Sequence, residues 1–69
     1  MYYPTERQKY RVLDTLEGSV LWAGYNRVAA SENFENAVSS LTAAGIKTYV
    51  ILQELDERGL YRRVKERVI

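Results

Sequence analysis

The chain has 69 residues, with ten Lys and Arg against nine Asp and Glu, and contains neither cysteine nor histidine. A chain this short hides roughly 60% of its unfolded surface and builds one small domain. The missing thiols and imidazoles exclude disulfides, thiolate metal sites, cysteine nucleophiles and the usual general base, and a 46% hydrophobic, 28% charged composition is that of an ordinary globular chain.

No segment has the apolar length needed to span a bilayer, and the opening MYYPTERQ lacks the apolar core of a signal peptide. The expected location is cytoplasmic, away from membranes. With Met1 at its start and no obvious linker, the chain reads as a complete small protein, of the kind common among phage and mobile-element accessory proteins. Residues 1–8 are expected to form a weakly ordered arm, since Pro4 biases Tyr3 to an extended conformation and the segment has no apolar repeat. The alternative for this arm is a short helix capped by Thr5. Residues 9–69 then make up the compact domain.

In residues 9–16, Tyr10 and Val12 alternate with Arg11 and Leu13, and residues 19–26 have the β-branched and aromatic content of a strand. Glu17-Gly18 between them is a tight-turn signal, so the expectation is a β-hairpin. A helix over residues 5–16 through Tyr10, Leu13 and Leu16 competes with it. Residues 27–30 read as a link.

The next stretch organises the chain. Phe34, Ala37, Val38, Leu41 and Ala44 fall on one helical stripe. Ser31 is the expected N-cap, with Glu32 and Glu35 where the helix dipole favours negative charge. Gly45 suits the left-handed residue that ends a helix and folds Ile46 back on Leu41. A strand follows, with the apolar run Tyr49, Val50, Ile51 and Leu52 expected to be covered on both faces or to lie inside the sheet.

Residues 56–59 (DERG) form the next turn, with Gly59 at a bulge position. Residues 60–69 satisfy two patterns. As a helix they gather Leu60, Tyr61, Val64 and Val68 into a stripe; as a strand they place Leu60, Arg62, Val64, Glu66 and Val68 on one face. The helical spacing is slightly cleaner. The expected fold class is therefore α+β: a β-hairpin, a helix and a strand (ββαβ), ending in a second helix or a fourth strand. The strands flanking the helix should run parallel. With a terminal strand, one sheet face has no intramolecular cover, and Trp22, Tyr25, Tyr49 or Ile51 would look outward in part.

No catalytic motif is present, since the four glycines are scattered and form no phosphate loop. Glu54, Asp56 and Glu57 are close enough in sequence to suggest an acid/base pair or a divalent site, but they read as a solvated turn with no buried neighbour to shift a pKa. Neither enzymatic activity nor a cofactor or metal is expected. Charge is segregated instead. Residues 12–57 are net negative, while Arg7, Lys9 and Arg11 at one end and Arg58, Arg62, Arg63, Lys65 and Arg67 at the other are basic. The topology would collect Arg7, Lys9, Arg11, Arg27, Arg58 and Arg62 on one rim beside the helix N-terminus, which favours anions. Against that stands the ordinary solvation of charge runs on surfaces.

Trp22 and Phe34 are expected in the core. Six tyrosines exceed what one small core holds, and tyrosine is enriched at interfaces. The function expected first is a non-enzymatic protein-interaction module, self-associating or docking on a larger protein, one version being a phage or mobile-element inhibitor of a host enzyme or defence complex. Its partner-binding residues would be Tyr10, Tyr25, Arg27, Tyr49, Arg58, Tyr61, Arg62 and Arg63, and a homodimer is one form of it. The alternative is nucleic-acid binding through exposed tyrosines and the basic rim, against which the near-neutral net charge weighs. The stretches VLWAGYN, AAGIKTYV and GLYRR, with the helix between them, resemble half of a peptidoglycan-binding SPOR repeat. The second half and a membrane anchor are missing from the sequence, and no residue is carried over.

Overall fold

The computed structural model describes residues 8–69, so the expected arm lies almost wholly outside the described residues. Four strands and a helix follow in the order β1 (Tyr10–Asp14), β2 (Ser19–Gly24), α1 (Arg27–Ala43), β3 (Tyr49–Leu55) and β4 (Tyr61–Val68). The sheet order is β2-β1-β3-β4 and every neighbouring pair is antiparallel. The strands flanking α1 run parallel to each other, as expected, but β1 is inserted between them. The fold is α+β, with one helix laid over one face of the sheet.

The hairpin reading of the first segment holds, with a shorter β1. The Asp14 carboxylate accepts the backbone N–H of Leu16 (3.1 Å) and Glu17 (3.3 Å), and its carbonyl accepts the N–H of Gly18 (2.8 Å). These bonds turn the chain over residues 15–18, which include the expected Glu17-Gly18 pair, and Gly18 closes the turn at φ +71°.

The helix starts earlier than its apolar stripe suggests. Asn26 is the N-cap, with extended backbone (φ −94°, ψ 124°) and a side chain that accepts the N–H of Ala29 at 2.9 Å. Residues 27–30 are thus its first turn rather than a link, and Ser31 is interior. Ala30 joins Phe34 and Val38 as the buried residues of the stripe, with Ala37 and Leu41 half-buried beside them. At the other end the Ile46 N–H reaches the Leu41 carbonyl and the Gly45 N–H the Thr42 carbonyl, each at 3.0 Å, with Gly45 at φ +73°. This is the Schellman pattern. Ala44, expected on the stripe, is the exposed C-cap residue.

Residues 61–68 form a strand, which corrects the preference for a second helix. Asp56 accepts the N–H of both Arg58 and Leu60 at 2.9 Å, and Gly59 takes φ +83°. This turn reverses the chain against β3, whose ladder then pairs every residue of β4 but Val64. Local helical spacing loses to those long-range bonds.

Each edge strand carries a one-residue bulge, at Leu21 in β2 and at Val64 in β4, where the pairing register shifts. A bulge swaps the faces of all residues beyond it. In β2 it leaves Val20 on the open face, paired with Leu13, and turns Trp22 to the helix side, paired with Val12. Trp22 is therefore half-buried against the core instead of facing outward. A Cβ at Gly24 would stand 2.7 Å from the Trp22 ring, so glycine there leaves room for the indole. In β4 the bulge sends Lys65 and Arg67 to the helix side and Arg63 and Glu66 to the open face. The core between the layers consists of Tyr10, Val12, Ala30, Phe34, Val38, Val50 and Leu52.

Candidate functional site

The sheet face opposite α1 has no layer over it among the described residues. Cross-strand partners share a face, so the register lays out its rows. One row reads Ala23, Arg11, Gln53, Arg63; the next reads Val20, Leu13, Ile51, Glu66; Tyr49 with Val68 and Leu55 with Tyr61 flank them. Ile51 is only 6% exposed although its face is uncovered, so the side chains around it close over it. Val20 and Val68 remain exposed.

Two clusters hold the polar side chains of this face in place. The Arg11 guanidinium lies 3.6 Å from the centroid of the Tyr61 ring while its Nε donates to Gln53 Oε1 at 2.6 Å. The Tyr61 hydroxyl donates to the Gln8 carbonyl at 2.7 Å. On the other side Arg63 donates to the Tyr49 hydroxyl at 2.9 Å and to Glu66 at 2.7 Å, and the Tyr49 hydroxyl donates to the same carboxylate. The Tyr49 bond, followed by Arg63, holds the Glu66 carboxyl below its usual range, and the same bond raises the Tyr49 phenol. Tyr49 thus stays protonated and Glu66 charged at neutral pH. The face presents two guanidinium groups, one carboxylate and two oriented tyrosines among aliphatic side chains.

Of the residues singled out from sequence, Tyr49, Tyr61 and Arg63 meet on this face. Tyr10 does not: it points to the helix side, is 8% exposed, and belongs to the core. Tyr25 is exposed in the link before α1 and Arg27 is the first helical residue. Arg62 pairs with Glu54 on the helix side, away from Arg63, and Arg58 lies in the β3–β4 turn.

The rim at that end of the sheet is mixed in charge. Lys9 donates to the Leu55 carbonyl at 2.7 Å and stands 3.6 Å from Glu54. The Leu60 amide, then the Arg58 amide, with Arg62 and Lys9 adding their fields, hold the Asp56 carboxyl below its ordinary range. Arg11 sits on the open face and Arg7 lies outside the described residues. Among the described residues, no group of three or more Asp or Glu side chains could hold a metal ion, and no helix is long and apolar enough to cross a membrane.

Sequence reasoning placed Arg11 on the basic rim and not among the partner-binding residues, and selected neither Gln53 nor Glu66. Arg11 was open to discovery, since it alternates with the core residues Tyr10 and Val12. Glu66 was not, because its face depends on the Val64 bulge. No protein-family model, curated protein or solved structure matches the chain. The likeness to half of a SPOR repeat gains no support.

Proposed function

We propose that this chain is a non-enzymatic protein-interaction module that docks on a larger protein through its open sheet face. The observation that carries this reading is the uncovered surface on which Tyr49 and Tyr61 are held by Arg63 and Arg11. Tyrosine and arginine give most contact energy at protein interfaces, and side chains already held in one geometry lose less entropy on binding. An inhibitor of a host enzyme would use the same face.

The face suits nucleic acid less well. Bases stack on free aromatic faces, whereas the Arg11 guanidinium occupies a face of the Tyr61 ring. Glu66, charged and on the same face, opposes a polyanion. The test pairs Arg11→Glu with Arg63→Glu and compares the variant with the native chain as bait in a lysate of the source cells. A protein retained by the native chain should be lost by the variant, with the circular dichroism spectrum unchanged. Equal retention by both would overturn the reading. Saturable binding of a single-stranded oligonucleotide, abolished by the same charge reversals, would put nucleic acid in first place.

A further inference from the structure

Both free edges of the sheet carry a bulge, but they differ in charge. β4 carries Arg62, Arg63, Lys65, Glu66 and Arg67, the charged edge by which proteins discourage strand-to-strand association. β2, at the other edge, has no charged residue from Ser19 through Asn26. Val20 and Leu21 are 55% and 41% exposed on it. Its outer edge has no partner strand among the described residues, and unpaired backbone groups on an exposed apolar strand are a ready template for another strand.

The same side of the molecule continues uncharged onto the helix. A groove of about 290 Å³ runs between β2 and α1, walled by Leu21, Trp22, Ala37 and Leu41 on its apolar side and by Asn33, Asn36 and Ser40 on its polar side. The ionic contacts between helix and sheet lie on the other side, with Glu35 reaching Arg67 of β4 at 3.5 Å and Lys65 donating to Ser31 at 2.9 Å. The domain is thus divided into an ionic β4 side and a neutral β2 side.

We infer that the β2 edge pairs with the β2 edge of a second copy of this chain, antiparallel and about a two-fold axis. An antiparallel ladder is self-complementary under such an axis, and a second copy brings the missing strand with it. The neutral side meets its own image without like-charge contacts, which β4 meeting β4 could not do. The pairing sets the two α1 helices side by side, and the Asn33, Asn36 and Ser40 flanks face each other across the junction. Both open faces then join into one surface. This edge is separate from the docking face proposed above, and each can fail without the other.

The test is the solution mass by light scattering after size exclusion, across concentration, together with amide hydrogen exchange. The native chain should approach twice its 8.0 kDa, and the amides of residues 19–23 should exchange more slowly as concentration rises. Ser19→Lys with Leu21→Lys changes only groups off the open face and should return the mass to a single chain without altering the circular dichroism spectrum, while Val64→Lys on β4 should leave the doubled mass intact. A single-chain mass at every concentration would overturn the inference. So would a doubled mass that survives the β2 lysines, a mass lost only with Val64→Lys, or edge amides that ignore concentration. Because the β2 lysines spare Arg11, Tyr49, Tyr61 and Arg63, lysate capture by that variant reports on the docking face alone.

Discussion

Asp14 is the residue on which one end of the molecule depends. Only 5% exposed, it accepts hydrogen bonds from the Thr48 hydroxyl at 2.5 Å and from two turn amides, so a buried carboxylate has partners for its charge. The Thr48 bond, then the Glu17 and Leu16 amides, outweigh desolvation and hold its pKa below the ordinary 3.8. A carboxylate lowered in the folded state contributes stability that is present above the unfolded pKa and is lost as pH falls through the folded value. Thermal unfolding followed from neutral pH downward should therefore show stability falling below about pH 4. Asp14→Asn keeps an acceptor oxygen without the charge and should flatten that acid limb, whereas an unchanged slope would assign it to other carboxylates. The two turn amides are local to Asp14, but the Thr48 bond that lowers its pKa most comes from 34 positions away, where no local pattern marks it.

At the scale of elements, the caps decide where α1 begins and ends. The assignment of Asn26 as N-cap predicts a contrast that Ser31 cannot share. Asn26→Ala should cost about 1 kcal/mol in denaturant unfolding, because the Ala29 amide loses its acceptor. Ser31→Ala, interior to the helix, should stay within about 0.5 kcal/mol, and the reverse order would restore the later start. The C-terminus was legible from Gly45 alone, since a left-handed residue after an apolar stripe has one common use. The start was not legible, because Val28 at 66% exposure carries no stripe signal. The edge bulges were hidden for a related reason. Leu21 and Val64 differ from no other aliphatic residue in a strand, and only the partner strand reveals which residue is extra.

For the whole molecule, one helix layer on one sheet layer gives Cα extents of 37 × 28 × 16 Å and a core with few large side chains. Phe34 is the largest fully buried side chain and sits where the two layers meet. Lys65 and Arg67 approach its ring, each at 5.9 Å from the centroid, so β4 closes the side of the core that the aliphatic residues leave open. Phe34→Ala should cost about 3–5 kcal/mol, enough to unfold much of a domain this small. A loss under about 1 kcal/mol in chemical denaturation would mean the core is held elsewhere.

The sequence by itself determined the α+β class, the first hairpin, the apolar stripe Phe34, Ala37, Val38 and Leu41, and the helix end at Gly45. Those features rest on spacing and turn chemistry within a few residues, where local forces suffice. The tertiary structure alone decided that residues 61–68 are a strand, that β1 lies between β2 and β3, and that Glu66 shares the open face with Arg63 and Tyr49. Each of those outcomes depends on a ladder partner or a bulge register supplied by chain more than thirty positions away or by the opposite edge of a hairpin. Backbone hydrogen bonds of that kind leave no periodic trace in the segment that receives them.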